Sequence, residues 1–243
     1  MGILPYPINY TITETFLNTI IKTLFFDLNE TLLDVGVLES TFEEYFDHPG
    51  ALAQWFTKLL FMSNTLGIVG TYKDFETIAE EALAQVFLEN RKITTSSSRH
   101  DIVAKFRELP AHKDVIPTLE WLKKKKIRCV VISNSTQEMI NIQLKNAGLT
   151  DYFDSTYSVE AVQLAKPFPD IYQFAAKKEK RSPKQIAMVA SHDWDIVGAK
   201  NVGFRTGYIY RKQLPLNTIF SPAHHIGSEL LELVKEIVAA KST

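Results

Sequence analysis

The sequence predicts a three-layer α/β fold, a parallel sheet between helices, with an all-helical block inserted after the first strand. Two observations predict it. Continuous apolar runs end on residues capable of chemistry: Leu24, Phe25 and Phe26 before Asp27, Cys129 to Ile132 before Ser133, and Ile186 to Ala190 before Ser191, His192, Asp193 and Asp195. Runs of this length, rich in β-branched residues, fit strands buried on both faces, as in a parallel sheet. The second observation is that the strand pattern stops after Asp27 and resumes only near Lys113. A strand-free block of that size is too long for an ordinary connection.

In chain order, residues 1–20 carry Pro5 and Pro7 and read as an extension with a short helix from Thr13, packed outside the first strand. From Val37 to Phe106 the apolar residues Trp55, Leu59, Phe61 and Met62, then Phe75, Ile78, Ala79, Leu83, Val86 and Phe87, recur at spacings of three and four, which is helical. Asp74 stands at the N-cap of one of these helices. The Ser96 to Ser98 run reads as a loop and His100 to Glu108 as a further short helix. Helix 114–126 then leads to strand 128–133, and helix 136–147 closes at Gly148. Strand 155–159 leads to the loop of Lys166, followed by helix 168–179, strand 185–190 and a helix beginning near Asp195. Strand 206–210 and helix 227–240 end the chain. Alternation of this kind implies right-handed crossovers and a parallel sheet sandwiched between helices. The domain expectation is therefore an extension at 1–20, a core at 21–34 and 113–243, and a helical insertion at 35–112.

Composition limits the function classes. The 243 residues are 45% apolar, enough for a full core, and a formal charge of −1 gives no general electrostatic reason to bind nucleic acid or membrane. The one dense basic run, Lys123 to Lys126, reads as the solvated last turn of a helix, where positive charge suits the dipole. The single Cys129 excludes an internal disulfide and a Cys-rich metal site. No apolar stretch reaches the length of a membrane span and the N-terminus lacks a signal-peptide pattern, so a cytoplasmic location is expected.

Taken singly, each strand-ending polar residue would be read as a helix cap or a strand terminator. In a parallel sheet, however, all such residues fall at one edge, where loops splay apart and ligands bind. The segments FFDLNETLLD at 25–34, SNS at 133–135, SVEAVQLAKPFPDIY at 158–172 and SHDWDIVGAKNVGF at 191–204 together resemble the haloacid dehalogenase superfamily, and within it the L-2-haloacid dehalogenase branch. The resemblance covers nearly everything from Lys22 to Lys241. It implies a Rossmann-like core with a helical cap inserted after the first strand, in agreement with the pattern above.

The resemblance also implies roles. Asp27 matches the nucleophile, a carboxylate that attacks carbon or phosphorus when held ionised and oriented. Thr31, one turn beyond it, is placed to hydrogen-bond that carboxylate. Ser133 matches a hydroxyl that contacts the nucleophile or the substrate's charged oxygens. Lys166 brings the positive charge that lets two carboxylates and an anionic substrate share one site. Asp195 matches the acid that positions or activates the hydrolytic water. Asn134 matches an asparagine associated with halide binding, and Tyr172 a tyrosine of the dehalogenase branch. The expected catalytic set is Asp27, Ser133, Lys166 and Asp195; the expected substrate-binding set is Asn29, Thr31, Asn134, Tyr172, His192 and Phe56.

The departures from the family pattern narrow the reaction. Phosphatases of the family carry a second Asp two residues after the nucleophile; here that position is Asn29. General acid–base help of this kind is worth about 10²–10⁴-fold, so efficient phosphomonoesterase activity is disfavoured. Where dehalogenases have a tyrosine, this chain again has Asn29. The arginine that cradles the departing halide falls, in an ungapped alignment of the cap, at Phe56, and His192 replaces an asparagine. Lys58 is near Phe56 in sequence but on roughly the opposite helix face.

The expected function is that of a hydrolase acting on a small carboxylic acid through an aspartyl ester, most like a 2-haloacid dehalogenase and requiring no cofactor. The alternative is a magnesium-dependent phosphatase of small metabolites, with Asp27, Asn29 and Asp195 as metal ligands. A third reading, from a different class, is a non-catalytic binding protein that keeps the fold. The expected partner is a small anionic substrate, with neither nucleic acid nor membrane, and the aromatic and aliphatic positions of the cap offer surface for a homodimer.

Overall fold

The computed structural model describes residues 20–212 and 217–240. The helix expected from Thr13, and the extension up to residue 19, lie outside the described residues. Six parallel strands form one sheet in the order β3-β2-β1-β4-β5-β6. They are β1 (Thr23–Phe26), β2 (Arg128–Ser133), β3 (Ser155–Ser158), β4 (Ile186–Ala190), β5 (Arg205–Ile209) and β6 (His225–Gly227). Every residue of β1 and β4 is buried, as continuous apolar runs require of strands covered on both faces.

Alternation along β1 divides the core. Leu24 and Phe26 face one apolar layer with helices α5 (Val115–Lys125), α6 (Gln137–Asn146) and α9 (Leu230–Ala239). Phe25 faces the other, with α7 (Pro169–Lys178) and α8 (Asp193–Asn201). This is the three-layer α/β arrangement expected of the sequence, with helices on both faces of a parallel sheet.

Between β1 and α5 the chain forms α1 (Glu39–Phe46), α2 (Ala51–Ile68), α3 (Phe75–Glu89), α4 (Ser96–Ala104) and a 3₁₀ turn at Lys105–Glu108. Trp55, Leu59, Phe75 and Phe106 bury their side chains in an apolar layer continuous with that over β1. The Trp55 indole donates to the Ala79 carbonyl at 2.8 Å, which satisfies its one polar atom and ties α2 to α3. Asp74 caps α3 by accepting from the Thr77 amide at 2.8 Å.

Three expectations are corrected. Ser96 to Ser98 form the first turn of α4 rather than a loop, because Thr95 and Ser98 build a reciprocal capping box. Residues 225–227 form the short edge strand β6 rather than the start of a helix. The last helix begins only at Leu230, whose amide donates to Asp114 Oδ2 at 3.0 Å.

The parallel register brings the chemistry to one edge. Phe26 stands opposite Val131 of β2 and Val189 of β4, so Asp27, Ser133 and Ser191 leave adjacent strands at the same end. α8 then packs closely beneath the loop after β3: a Cβ placed on Gly198 would lie 2.7 Å from the Pro167 carbonyl oxygen and 2.8 Å from the Tyr172 hydroxyl. Only glycine lets these backbones approach so far. No described helix is long and apolar enough to cross a membrane.

Candidate active site

Asp27 ends β1 in the middle of the sheet, and its two oxygens have separate partners. Lys166 Nζ donates to Oδ1 at 2.7 Å, and Thr31 Oγ1 donates to Oδ2 at 2.7 Å. His192 Nδ1 lies 3.3 Å from Oδ2. Burial alone would raise the pKa of Asp27, but the charge of Lys166 and the His192 contact outweigh it and hold the carboxyl well below its usual range. A buried carboxylate, ionised and oriented, is what nucleophilic attack requires.

Lys166 is completely buried and bridges two acids. Its ammonium also donates to Asp195 Oδ2 at 2.6 Å and to the Ile132 carbonyl at 3.1 Å, so all three of its protons are used. Burial lowers the pKa of this lysine, yet Asp195 and Asp27 outweigh burial and raise it. The other oxygen of Asp195 accepts from the Tyr172 hydroxyl at 2.5 Å. Burial raises the Asp195 pKa, Lys166 opposes the rise and the nearby Asp27 adds to it.

A small cavity lies over Asp27, lined by Asp27, Asn29, Ser133, Asn134, His192 and Trp194 from the sheet edge. Phe56, Leu59, Leu60 and Phe75 close it from the inserted helices. Its volume is about 20 Å³, room for about one water. The Ser133 hydroxyl accepts from the Ser135 amide at 3.1 Å, and Asn134 Oδ1 accepts from the Lys166 amide at 2.8 Å, which fixes the Lys166 loop against β2. Asn29 is held at both ends: it donates to Ser135 Oγ at 3.1 Å and accepts from Gln143 at 2.9 Å.

The structure separates the predicted residues into two layers. Asp27, Asn29, Ser133, Asn134, His192 and Phe56 line the cavity. Thr31, Lys166, Tyr172 and Asp195 lie beneath it, buried and linked in a chain that runs from Thr31 through Asp27 to Lys166, Asp195 and Tyr172. The Thr31 hydroxyl donates to Asp27, as expected of a residue one turn beyond it, and the Tyr172 hydroxyl donates to Asp195. Lys58 points away, paired with Glu89 at 2.7 Å.

A magnesium ion does not fit the expected ligands Asp27, Asn29 and Asp195. The Lys166 ammonium stands between the two carboxylates, where the cation would have to lie, and the Asn29 carbonyl oxygen already accepts from Gln143. Divalent magnesium needs several hard oxygens in octahedral array, and the oxygens of this set are already engaged by Lys166, Thr31, Tyr172 and Gln143. Among the described residues no group of three or more His, Cys, Asp or Glu side chains is arranged to hold a metal ion.

Three functional features escaped sequence reasoning. Glu30 has φ of 63°, a left-handed conformation that carries steric strain in any residue with a Cβ. Its carboxylate faces His192 Nε2 at 2.7 Å and Lys212 Nζ at 2.5 Å. Burial raises the Glu30 pKa, but His192 and Lys212 outweigh it and bring it down to about 2. The second feature is a stack: the His192 ring lies between Trp194, with centroids 4.9 Å apart, and Phe56, 5.6 Å apart. The third is Arg211, which donates to the Thr31 carbonyl at 3.0 Å and contacts both Asp114 oxygens at 2.9 Å. Glu30 offered one signal, a charged residue inside the segment that follows the nucleophile. Lys212 and Arg211 offered none, because their partners are distant in sequence.

Comparison with known proteins places this geometry in context. The family model described as haloacid dehalogenase-like hydrolase matches residues 21–203. The chain is 31% identical over 217 residues to (S)-2-haloacid dehalogenase 1 of Pseudomonas sp. (strain CBS-3), covering 88% of this chain and 95% of that protein. It is 32% identical over 222 residues to (S)-2-haloacid dehalogenase 4A of Burkholderia cepacia, covering 88% and 93%. Among solved structures it superimposes with a TM-score of 0.82 and 26% identity on L-2-haloacid dehalogenase of Xanthobacter autotrophicus with chloropropionic acid covalently bound. That superposition covers 91% of this chain and 100% of the other.

Proposed function

The chain belongs to the haloacid dehalogenase-like hydrolases, and on that premise we propose that it hydrolyses small 2-haloacids through a covalent ester on Asp27. The observation that carries this reading is the division of labour on the Asp27 carboxylate: Lys166 binds Oδ1 and Thr31 binds Oδ2, so the group is ionised and aimed. In the proposed first step Oδ2 attacks the carbon beside the substrate carboxylate, the carbon–halogen bond breaks with its electron pair on the halide, and that centre inverts. In the second, water adds to the Asp27 carboxyl carbon, the bond between that carbon and the ester oxygen breaks, one water proton passes to the departing hydroxy acid, and the other leaves to solvent as the Asp27 carboxylate re-forms. Lys166 then faces the ester carbonyl oxygen Oδ1, where the oxyanion develops, and a preorganised cation at that atom stabilises it. Asp195 and Tyr172 act through Lys166 by holding its ammonium in place. On this reading residues 35–112 are a cap over a core of 21–34 and 113–243, and the enzyme is cytoplasmic.

The phosphatase alternative lacks support at two points, the acid–base group replaced by Asn29 and the ammonium of Lys166 between the expected metal ligands. The test is a turnover panel of 2-haloacids and small phosphate esters, run with magnesium and with chelator. Halide release that survives chelator is expected. Phosphate release that chelator abolishes overturns the reading in favour of the phosphatase, and silence on both substrate classes overturns it in favour of a binding protein.

A further inference from the structure

His192 is bound as a cation. Both ring nitrogens face carboxylates, Nδ1 at Asp27 and Nε2 at Glu30. An ionised carboxylate only accepts hydrogen bonds, so each nitrogen must carry a proton. Among the described residues that line the cavity, His192 is the one that brings positive charge; the wall opposite is Phe56, Leu59, Leu60 and Phe75. The aromatic faces of Phe56 and Trp194 on either side of the ring favour the charged form further.

Esterification of Asp27 removes one negative charge from this cluster. Lys166 keeps Asp195 at 2.6 Å. His192 keeps only Glu30, which is already shared with Lys212. Of the two cations paired with Asp27, His192 therefore loses the larger share of its compensation from the protein, and it stands at the cavity wall, where the substrate carboxylate and the halide both enter.

We propose that the His192 imidazolium, clamped by Glu30 and stacked between Phe56 and Trp194, is the group that stabilises the departing halide, supplied from the core loop rather than from the cap. The proposal rests on the dehalogenase reading. In the step concerned, the bond from Asp27 Oδ2 to carbon forms, the carbon–halogen bond breaks, the electron pair leaves with the halide, and no proton is transferred. As Oδ2 gives up its charge it becomes a poor acceptor, and Nδ1–H is released from it toward the new anion. Negative charge moves from Asp27 to the halide, and the favourable interaction with the imidazolium moves with it.

Two measurements test this. In the Asp27→Asn variant, whose neutral amide stands for the ester, sodium bromide titrated at constant ionic strength is expected to quench Trp194 emission saturably. A second substitution, His192→Asn, is expected to weaken that saturable binding about tenfold or more; His192→Gln repeats the measurement if the asparagine variant does not fold. In single turnover of chloro-, bromo- and iodoacetate, His192→Asn alone is expected to slow chloride release by about 10²–10³-fold, the range for loss of one preorganised donor, and iodide release far less. Unchanged bromide binding, or an equal loss for all three halides, overturns the proposal and leaves His192 a structural prop for Asp27. If the unsubstituted enzyme releases no halide from any haloacid, the dehalogenase reading fails, and the bromide titration still decides whether His192 is the cavity's anion-binding cation.

Discussion

In the proposed mechanism a single residue, Asp27, carries most of the reaction. Its side chain sits at the end of a buried strand with every contact directed at the carboxylate, so Asp27→Asn keeps the packing and removes the proposed nucleophile. Single-turnover halide release is expected to fall by about 10⁴-fold or more, with an unchanged circular dichroism spectrum. Appreciable residual activity, with deamidation excluded by mass, would remove the covalent mechanism. His192 and Glu30 give the site a pH signature. Burial would lower His192, but hydrogen bonds to Asp27 and Glu30 outweigh it and push its pKa from 6.5 up to about 9. Stability from this pairing is fully present below pH 6.5 and is lost as pH rises through about 9. Glu30, brought from 4.5 down to about 2, contributes above pH 4.5 and loses its contribution as pH falls through about 2. The His192 shift is shared between Asp27 and Glu30, and the Glu30 shift between His192 and Lys212, so the cluster as a whole carries this stability. Melting temperature is therefore expected to be highest between about pH 4.5 and 6.5 and to fall toward pH 9. Glu30→Gln should flatten the alkaline fall, and an identical profile in that variant would dissolve the pairing.

At the scale of elements, the contact between α8 and the Lys166 loop is the most exacting. Gly198 has no room for a methyl group, because the nearest atom is the backbone oxygen of Pro167, which cannot rotate aside as a side chain can. Gly198→Ala is expected to cost about 1–3 kcal/mol in urea denaturation and to reduce kcat by displacing Lys166 and Tyr172 together. A variant with both values intact would show that the loop yields freely. The strands, the helices and the four strand-end segments were legible because each repeats a pattern along the chain. What remained hidden depended on contacts across it. The Ser96 to Ser98 run looked like a loop because serine composition does not reveal the capping box with Thr95. β6 is three residues long and edges the sheet, too short for an alternating pattern to register. The layering of the site was equally hidden: nothing in SHDWD states that Asp195 points down at Lys166 while His192 faces the cavity.

For the whole molecule, the cavity over Asp27 is the deciding feature. A space of about 20 Å³ does not accommodate a haloacid, so the side chains that close it, Phe56, Leu59, Leu60 and Phe75, must move before substrate is admitted. The Thr136 hydroxyl, which donates to Glu76 at 3.1 Å, ties α6 to α3 across the two sides. The bulk of these four side chains also limits the substrate's side chain. The value of kcat/KM is expected to fall about 10–200-fold from 2-chloropropionate to 2-chlorobutyrate, the range for one methylene in a tight pocket. Indifference to chain length would show that these side chains do not wall the reacting substrate.

The central position of β1 has a consequence for how the enzyme fails. Hydrogen-bonded strands at the middle of a sheet are the last amides to exchange with solvent deuterium, whereas loops open locally at far lower free energy. Asp27 is anchored on such a strand, between β2 and β4. The groups that charge and aim it, Thr31, Lys166 and His192, come from loops or from the first turn of a helix. Mild denaturant should therefore scatter those groups while the sheet is still protected, so catalysis is extinguished first, in a chain that still looks folded to every probe of its backbone.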